Sequence, residues 1–211
     1  MIIKVCGMRE ADNIREVEQL STINCQLSIN WMGFIFWPRS SRYVSEKPDY
    51  LPIYCKRVGV FVDEDIEQVK RTADEYQLDL IQLHGHERPD YIRQLSDKKV
   101  IKAFNIANSA DLEATKPYEG IVDYFLFDAK GPSVGGNGAK FDWTVLADYV
   151  GETPFLLSGG IGPDDAQVLT SHLSPLTSKK CVGIDLNSRF EITPGLKDIN
   201  KLKEFIKAIQ L

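Results

Sequence analysis

Two side chains near the start of the chain could do proton chemistry. Lys4 and Cys6 lie in the short apolar stretch Ile2 to Cys6, which has the pattern of a buried strand. Side chains alternate across a strand, so the amine and the thiol project from one face while Ile3 and Val5 project from the other. A helical pattern follows within a few residues. Cys6 therefore stands at the C-terminal end of a strand, where α/β proteins place their ligands.

A carboxyl group at the end of a later apolar run could serve as the partner of the thiol. Asp128 lies near the end of the run Val122 to Gly131. A thiol and a carboxyl facing each other across a substrate can act as general base and general acid. Lys4 could stabilise a Cys6 thiolate, and the apolar neighbours of Asp128 could raise the pKa of its carboxyl. A single buried cysteine can also be an ordinary core residue.

Polar residues recur at the ends of the other apolar runs. The loop after the second run carries the guanidinium groups of Arg39 and Arg42, and His84 ends the fourth run. Asp63 follows the third run, and we expect it to cap the helix that begins near Glu64. A ligand-binding site built from several strand ends is therefore predicted.

Three turns in the second half of the chain could bind phosphate. They are Gly135 to Gly138, Gly159 to Gly162, and Asn187-Ser188, which follow the sixth, seventh and eighth runs. Glycine lets backbone N–H groups approach an anion closely, and a helix after Gly162 would direct its positive end to the same place. Each turn alone has an ordinary structural explanation. Together they favour a phosphorylated small molecule as the ligand.

The elements that must position these residues alternate regularly. Eight apolar runs predict strands, and helical patterns fill most of the gaps, which indicates a parallel sheet. The predicted strands are 2–6, 31–37, 56–62, 78–85, 99–106, 122–131, 153–162 and 180–187. The predicted helices are 12–20, 66–76, 90–95, 109–115, 143–149, 164–169 and 199–211. Residues 38–54 contain three prolines, so a helix there would be short or distorted.

Eight strand–helix units favour one (β/α)8 TIM barrel, a single domain over residues 1–211 with its active site at the C-terminal ends of the strands. The alternative is an open, doubly wound sheet. That fold would be expected to carry a glycine-rich nucleotide fingerprint in its first strand–helix turn, where the segment CGMRE has one glycine. The sequence therefore predicts the closed barrel.

Composition limits the class of protein. The chain has 211 residues and a net charge of −5, with 43% hydrophobic and 26% charged residues, which is typical of a globular protein and argues against nucleic acid as a partner. We expect no membrane span and no signal peptide, because the apolar runs are too short. The four cysteines show neither paired nor metal-ligand spacing, so we expect free thiols, a cytoplasmic location and no metal.

Seven segments, spread from the first strand nearly to the last helix, match one known pattern. They are KVCGM, GFIFWPRSSRYV, VGVFV, IQLHGHE, FLFDAKGPSVGGNGAKFDW, LLSGGIGPDD and GIDLNSRFE. In this combination they resemble the phosphoribosylanthranilate isomerases of tryptophan biosynthesis. The resemblance implies a (β/α)8 barrel that converts N-(5-phosphoribosyl)anthranilate to 1-(2-carboxyphenylamino)-1-deoxyribulose 5-phosphate, an Amadori rearrangement without a cofactor. We expect the chain to act on this phosphorylated small molecule as a monomer or a homodimer.

The resemblance also implies roles for individual residues. Cys6 matches the general base, Asp128 the general acid, and Arg42 the arginine that holds the anthranilate carboxylate, a task suited to a planar bidentate donor. The other substrate-binding residues would be His84, Asp185, Gly136, Asn137, Gly138, Gly159, Gly160, Asn187 and Ser188.

Three other functions fit parts of the sequence. Another sugar-phosphate barrel enzyme, such as an indole-glycerol-phosphate synthase or a ribulose-phosphate epimerase, would share the phosphate site, although the charged residues and metal-binding histidines of those enzymes are not visible. A non-catalytic phosphate- or anthranilate-binding module would not need Cys6. A thiol redox protein would need a second cysteine beside Cys6, and the sequence does not place Cys25, Cys55 or Cys181 there.

Overall fold

The computed structural model describes residues 1–23, 29–129, 142–177 and 180–209. Eight parallel strands follow one another around a closed barrel, and the last strand pairs with the first. The strands are β1 (Ile2–Cys6), β2 (Trp31–Ile35), β3 (Lys56–Phe61), β4 (Leu80–Leu83), β5 (Lys99–Ile106), β6 (Tyr124–Ala129), β7 (Phe155–Leu157) and β8 (Cys181–Leu186). The predicted (β/α)8 barrel is confirmed.

Helices cover the outside of the barrel. The α-helices are α1 (Ala11–Ile23), α2 (Ile66–Tyr76), α3 (Pro89–Ile92), α4 (Ala166–Thr177) and α5 (Ile199–Ala208). The segments after β5 and β6 form 3₁₀ helices, Ser109–Tyr118 and Trp143–Asp148, instead of the predicted α-helices. Shorter 3₁₀ turns are Arg93–Leu95, Pro163–Asp165 and Ser188–Phe190. Within the described residues, no helix is both long and apolar enough to cross a membrane.

The connection after β2 is where the predicted short helix is absent. Residues 38–54, all of them described, form turns and one bridge to β2. The buried carboxylate of Glu18 replaces helical hydrogen bonding at the end of this segment. It accepts hydrogen bonds from the backbone N–H groups of Ile53, Tyr54 and Cys55 and from the hydroxyl of Tyr50. A side chain from α1 therefore fixes a segment that its prolines keep out of a helix.

Alternation along the strands divides the core into two layers. One layer fills the interior of the barrel and contains Trp31, Val58, Leu80, Ile101, Ala103, Leu126 and Leu156. The opposite strand faces pack against the helices, as Ile3 and Val5 do. Leu126 and Asp128 share the inward face of β6, two residues apart, so the carboxyl follows the apolar layer toward the C-terminal mouth. The mouth of the barrel is thus lined by polar groups above an apolar floor.

The expectation that Asp63 caps α2 is wrong. Asp65 is the N-cap, and its side chain accepts hydrogen bonds from the backbone N–H groups of Glu67 and Gln68. Asp63 has a φ of 50° and instead accepts hydrogen bonds from the backbone N–H and the ring of His86 in the next loop. It therefore ties the loop after β3 to the loop after β4.

Candidate active site

A buried ion pair lies at the bottom of the site, where β8 pairs with β1 and closes the barrel. Lys4 on β1 lies opposite Asp185 on β8, and its Nζ donates a hydrogen bond to Oδ1 of Asp185 at 2.8 Å. Lys4 is fully buried and Asp185 is 7% exposed. The Ser158 hydroxyl donates to the other Asp185 oxygen at 3.5 Å. These contacts fix a cation and an anion at the centre of the polar layer.

The Cys6 thiol lies beside this pair, on the face of β1 that also carries Lys4. A Cβ added to Gly33 on the neighbouring strand would lie 2.7 Å from the Cys6 Sγ and 3.2 Å from the Lys4 Nζ. Burial raises the pKa of the Cys6 thiol, while the positive charges of Lys4 and Lys197 oppose this effect. The absence of a side chain at Gly33 leaves the space that the thiol occupies.

Asp128, at the inward face of β6, is a carboxyl group that burial keeps partly protonated. Burial and the nearby charge of Asp185 raise its pKa to about 6, against the opposing effects of the Ala129 amide, Lys4 and Ser158. The Ala129 N–H donates to Oδ1 of Asp128 at 2.9 Å. The charges of Lys4 and Asp185 affect the pKa values of both Asp128 and Cys6. The carboxyl of Asp128 and the thiol of Cys6 therefore lie near the same ion pair.

His84 approaches Asp128 from β4 and is neutral at neutral pH. Its Nε2 lies 3.7 Å from Oδ2 of Asp128, and its Nδ1 lies 3.4 Å from the side-chain nitrogen of Gln82. Burial, together with the charges of Lys102 and Lys4, lowers the pKa of His84 to about 4. The contact between His84 and Asp128 is therefore one between a neutral imidazole and a carboxyl group and does not form an ion pair.

A second buried ion pair fixes the loop that follows His84. Lys102 on β5 donates hydrogen bonds to the Gly85 carbonyl at 2.7 Å and to Oε2 of Glu87 at 3.1 Å. Glu87 in turn accepts hydrogen bonds from the backbone N–H groups of Gly85 and Asp63. This pair was not predicted from the sequence, because Lys102 points out of the barrel and its partner lies in a loop.

The predicted phosphate-binding turns lie side by side where they are described. Gly159 and Gly160 follow β7 with φ values of 87° and 69°, and Asn187-Ser188 follows the neighbouring strand β8. A Cβ at Gly159 would lie 2.4 Å from the Ala129 backbone nitrogen, so a side chain is excluded there. The predicted contacts at Gly136, Asn137 and Gly138 lie outside the described residues, as does Cys25.

Arg42, predicted to bind the substrate carboxylate, is held by a carboxylate of the protein. Its guanidinium donates hydrogen bonds to Glu191, with Nε to Oε1 at 2.9 Å and Nη2 to Oε2 at 2.7 Å. Glu191 belongs to β9 (Glu191–Thr193), which forms a hairpin with β10 (Leu196–Lys197). The buried ammonium of Lys197 contacts the same carboxylate at 2.7 Å. Arg39, the other predicted guanidinium, is exposed.

Glu191 and Lys197 were not predicted from the sequence. The available signal was the Pro194-Gly195 turn, which is typical of a hairpin connection. Lys197 also donates to the side-chain oxygen of Asn187 at 2.8 Å, so the hairpin reaches the end of β8. Across the described part of the chain, no three His, Cys, Asp or Glu side chains are grouped as metal ligands. The site as described offers a thiol, a carboxyl, an imidazole and two turns suited to an anion.

Comparisons with known proteins place the chain in one family. Residues 3–208 match the family model described as N-(5'phosphoribosyl)anthranilate (PRA) isomerase. The chain is 51% identical to the N-(5'-phosphoribosyl)anthranilate isomerase of Parabacteroides distasonis, over 99% of this chain and 93% of the relative. It is 48% identical to the Phocaeicola vulgatus protein of the same name, over 98% of this chain and 100% of the relative.

Solved structures with this fold include isomerases of this name. The phosphoribosyl anthranilate isomerase of Thermotoga maritima superposes with a TM-score of 0.82 at 31% identity, covering 100% of this chain and 99% of that one. A further isomerase, solved in complex with reduced 1-(o-carboxyphenylamino)-1-deoxyribulose 5-phosphate, gives a TM-score of 0.77 at 28% identity, with coverage of 100% and 99%. The chain belongs to the N-(5'-phosphoribosyl)anthranilate isomerase family.

Proposed function

We propose that this chain isomerises N-(5'-phosphoribosyl)anthranilate to 1-(2-carboxyphenylamino)-1-deoxyribulose 5-phosphate, with Asp128 as the general acid and Cys6 as the general base. The observation that carries the assignment of roles is the raised pKa of Asp128, about 6, in a site that also holds the Cys6 thiol. As a member of its family, the chain is an aldose–ketose isomerase, an intramolecular oxidoreductase of tryptophan biosynthesis.

The reaction requires two proton transfers in sequence. Asp128 donates a proton to the ribose ring oxygen while the anilino nitrogen displaces that oxygen from C1′, which opens the ring to a Schiff base. Cys6 then removes the C2′ proton, and the electron pair of that bond leaves an enolamine that tautomerises to the ketone. Every atom of the substrate is retained, and no external oxidant or reductant is needed. The protein contributes one acid, one base and their placement.

Asp128 must keep a proton and Cys6 must lose one, which is the reverse of their ordinary proton affinities. A free thiol and a free aspartate differ by about 4.6 pKa units, or about 6 kcal/mol, in the wrong direction. The raised pKa of Asp128, about 6, narrows this difference on the acid side. Burial also raises the pKa of Cys6, and the charges of Lys4 and Lys197 limit that rise. We infer that the enzyme reacts through a minor fraction in which the thiolate and the protonated carboxyl coexist.

The remaining residues fit the two ends of the substrate. Arg42 would bind the anthranilate carboxylate, and the turns at Gly159-Gly160 and Asn187-Ser188 would bind the 5′-phosphate through backbone N–H groups. His84 and Asp185 would line the space between them. A relative was solved with a reduced form of this product, which supports a phosphorylated small molecule as the ligand. All these groups come from one barrel, so we infer a single-domain enzyme whose monomer or homodimer carries a complete site in each chain.

A cytoplasmic location is the setting that this chemistry favours. The base must be a thiol outside any disulfide, and the described cysteines, Cys6, Cys55 and Cys181, are buried thiols that form no disulfide. Free thiols persist in a reducing compartment. A thiol redox function would also require a disulfide partner for Cys6, and neither Cys55 nor Cys181 is bonded to it.

The test is turnover of freshly prepared phosphoribosylanthranilate, followed by the change in fluorescence as product forms. Wild-type protein, Cys6→Ala and Asp128→Asn would be compared without added metal. We expect rapid turnover by the wild type and a loss of at least about a thousandfold in each variant. Full activity of Cys6→Ala would support the binding-module alternative, and a folded but inactive wild type would indicate a different sugar phosphate as substrate.

A further inference from the structure

The contact between Arg42 and Glu191 has the geometry of a fixed fork. Two guanidinium nitrogens, Nε and Nη2, face two carboxylate oxygens at 2.7 to 3.0 Å. The Arg42 side chain is 12% exposed and the Glu191 side chain 5% exposed, so little water competes for this contact. Bidentate pairs of this kind restrict orientation as well as adding binding energy.

Glu191 is itself held in place by the hairpin that carries it. Its Oε1 accepts hydrogen bonds from the Lys197 ammonium at 2.7 Å and from the Gly195 backbone N–H at 3.0 Å. Lys197 is also fixed by the Asn187 side chain at 2.8 Å. These contacts fix the orientation of the Glu191 carboxylate, and the carboxylate in turn orients the Arg42 guanidinium.

This arrangement determines which edge of Arg42 can meet a substrate. A guanidinium has five N–H donors, and Glu191 occupies those on the Nε side. The opposite edge, made of Nη1 and the second proton of Nη2, is the one suited to another carboxylate, and within the described residues the hydrogen bonds of the guanidinium come from Nε and Nη2. The aliphatic part of the Arg42 side chain packs over the turn after Cys6: a Cβ added at Gly7 would lie 2.7 Å from the Arg42 Cδ.

Charge balance favours a second anion at this place. Arg42 and Lys197 bring two positive charges to the single negative charge of Glu191. Burial opposes ionisation of Glu191, but its hydrogen bonds and the two cations lower its pKa, so it is charged at neutral pH. Burial lowers the pKa of Lys197, and the charge of Glu191 opposes this effect. With Lys197 protonated, the cluster keeps one net positive charge, which a substrate carboxylate would neutralise.

We propose that Glu191 is a positioning residue that acts through Arg42: it orients the guanidinium so that the free edge selects the aromatic carboxylate of the substrate. The proposal rests on the proposed function for the identity of that carboxylate. Glu191 thereby contributes to specificity without contact to the substrate. It joins the hairpin after β8 to the arginine loop after β2.

The experiment is a binding comparison with two matched ligands. One is reduced 1-(o-carboxyphenylamino)-1-deoxyribulose 5-phosphate, and the other is the same compound without its ring carboxylate. Affinities would be measured by calorimetry for the wild type, Glu191→Gln, Arg42→Met and the double variant. We expect Glu191→Gln to weaken the affinity for the carboxylated ligand by at least about tenfold and to change the affinity for the other ligand by less than about twofold. In the Arg42→Met background the Glu191 substitution has no further effect.

The second ligand serves as the control for folding, because its affinity reports an intact phosphate site in every variant. Equal losses for both ligands in Glu191→Gln would overturn the proposal and leave Glu191 with a structural role. An undiminished Glu191 effect in the Arg42→Met background would overturn it too. Kinetically, KM of Glu191→Gln rises more than kcat falls. Wild-type turnover is scored separately, so its absence would refute the proposed function while the ligand preference still decides the role of Glu191.

Discussion

The Nζ of Lys4 lies 2.8 Å from Oδ1 of Asp185 in a buried ion pair between the neighbouring strands β1 and β8. This pair affects the pKa values of both proposed proton carriers, Cys6 and Asp128. Burial is the main reason that the pKa of Cys6 and the pKa of Asp128 are raised. Lys4 lowers both values and Asp185 raises both. One ion pair therefore influences the pKa values of both the proposed acid and the proposed base, so substituting Lys4 or Asp185 should change the protonation of both groups.

Lys4→Met should slow the alkylation of Cys6. Without the ammonium the thiol pKa rises further, so the thiolate fraction at pH 8 falls about tenfold for each unit of that rise. Because a thiolate of higher pKa is also more nucleophilic, the alkylation rate falls about three- to fourfold per unit. Removing one partner of a buried pair also leaves Asp185 uncompensated, at a cost of about 3–5 kcal/mol in the free energy of unfolding. Alkylation would be followed by mass spectrometry of the Cys6 peptide under conditions where the variant is folded.

The control for this variant is Lys4→Met combined with Asp185→Leu. The double variant recovers much of the unfolding free energy, because no unpaired buried charge remains. Cys6 still lacks the Lys4 cation in it, although the loss of Asp185 removes a charge that raised the thiol pKa. If Lys4→Met left both the alkylation rate and the pH–rate profile unchanged, Lys4 would have no role in activating the thiol.

The pH–rate profile should show a plateau that begins near pH 6. The acid must be protonated and has the lower pKa, about 6, while the base must be ionised and has the higher, raised pKa. The fraction with both groups correct is then constant between the two values and falls about tenfold per pH unit outside them. Single-turnover rates from pH 5 to 9 measure this, and a rate that still climbs steeply between pH 7 and 8 would contradict the assignment.

Two neighbouring groups should give opposite pH dependences of stability. The pKa of Asp128 is raised to about 6, so the folded state binds more protons and stability from this group is lost as the pH rises through 6. The pKa of His84 is lowered to about 4, so stability from this group is present above pH 6.5 and lost as the pH falls through 4. Each effect amounts to about 3 kcal/mol, and in the wild type they largely cancel.

Single variants should separate these effects. Between pH 4 and 6.5, the unfolding free energy of Asp128→Asn should rise with pH, and that of His84→Gln should fall. Urea unfolding at several pH values measures both slopes. At pH 7, Asp128→Asn should also be more stable than the wild type by about 1–3 kcal/mol while it lacks activity, because it removes a buried charge. Parallel pH dependences in the wild type and both variants would show that the two groups do not titrate as described.

Features of the fold and of the site that depend on local sequence patterns could be predicted, whereas contacts between distant segments could not. Strand alternation and the count of apolar runs predicted the barrel, because these patterns follow from local geometry and recur eight times. The same alternation placed Lys4 and Cys6 on one inward face. The position of Asp128 at a strand end was equally visible, because its strand is a continuous apolar run.

Contacts between distant segments could not be predicted in this way. Glu191 and Lys197 belong to a short hairpin outside the strand–helix repeat, and nothing in their local sequence indicates that they meet Arg42. Asp63 and Asp65 are both good helix caps by type, and the choice between them depends on a hydrogen bond from the next loop. Residue type predicts what a side chain can do, whereas its partner is decided by the packing of the whole barrel.

Gly33→Ala should disable the Cys6 thiol with a modest loss of stability. Gly33 is paired with Cys6 across β1 and β2, and a Cβ there would lie 2.7 Å from the Cys6 Sγ and 3.2 Å from its Cα. The thiol must move, and a displacement of about 1 Å can reduce kcat about a hundredfold. Overpacking of this kind costs about 1–3 kcal/mol in the free energy of unfolding. KM should change little, because the proposed carboxylate and phosphate contacts are untouched.

Gly59→Ala is the matched control, since it overpacks the same barrel away from the site. A Cβ at Gly59 would lie 2.3 Å from the Leu78 Cδ1, on the outer face of β3. Its unfolding free energy should fall by a similar amount, about 1–3 kcal/mol, while kcat stays within about twofold of the wild type. Steady-state kinetics and urea unfolding on both variants separate the two explanations. If kcat fell equally in Gly33→Ala and Gly59→Ala, the loss would reflect strain in the barrel, and the placement of the Cys6 thiol would not be the cause.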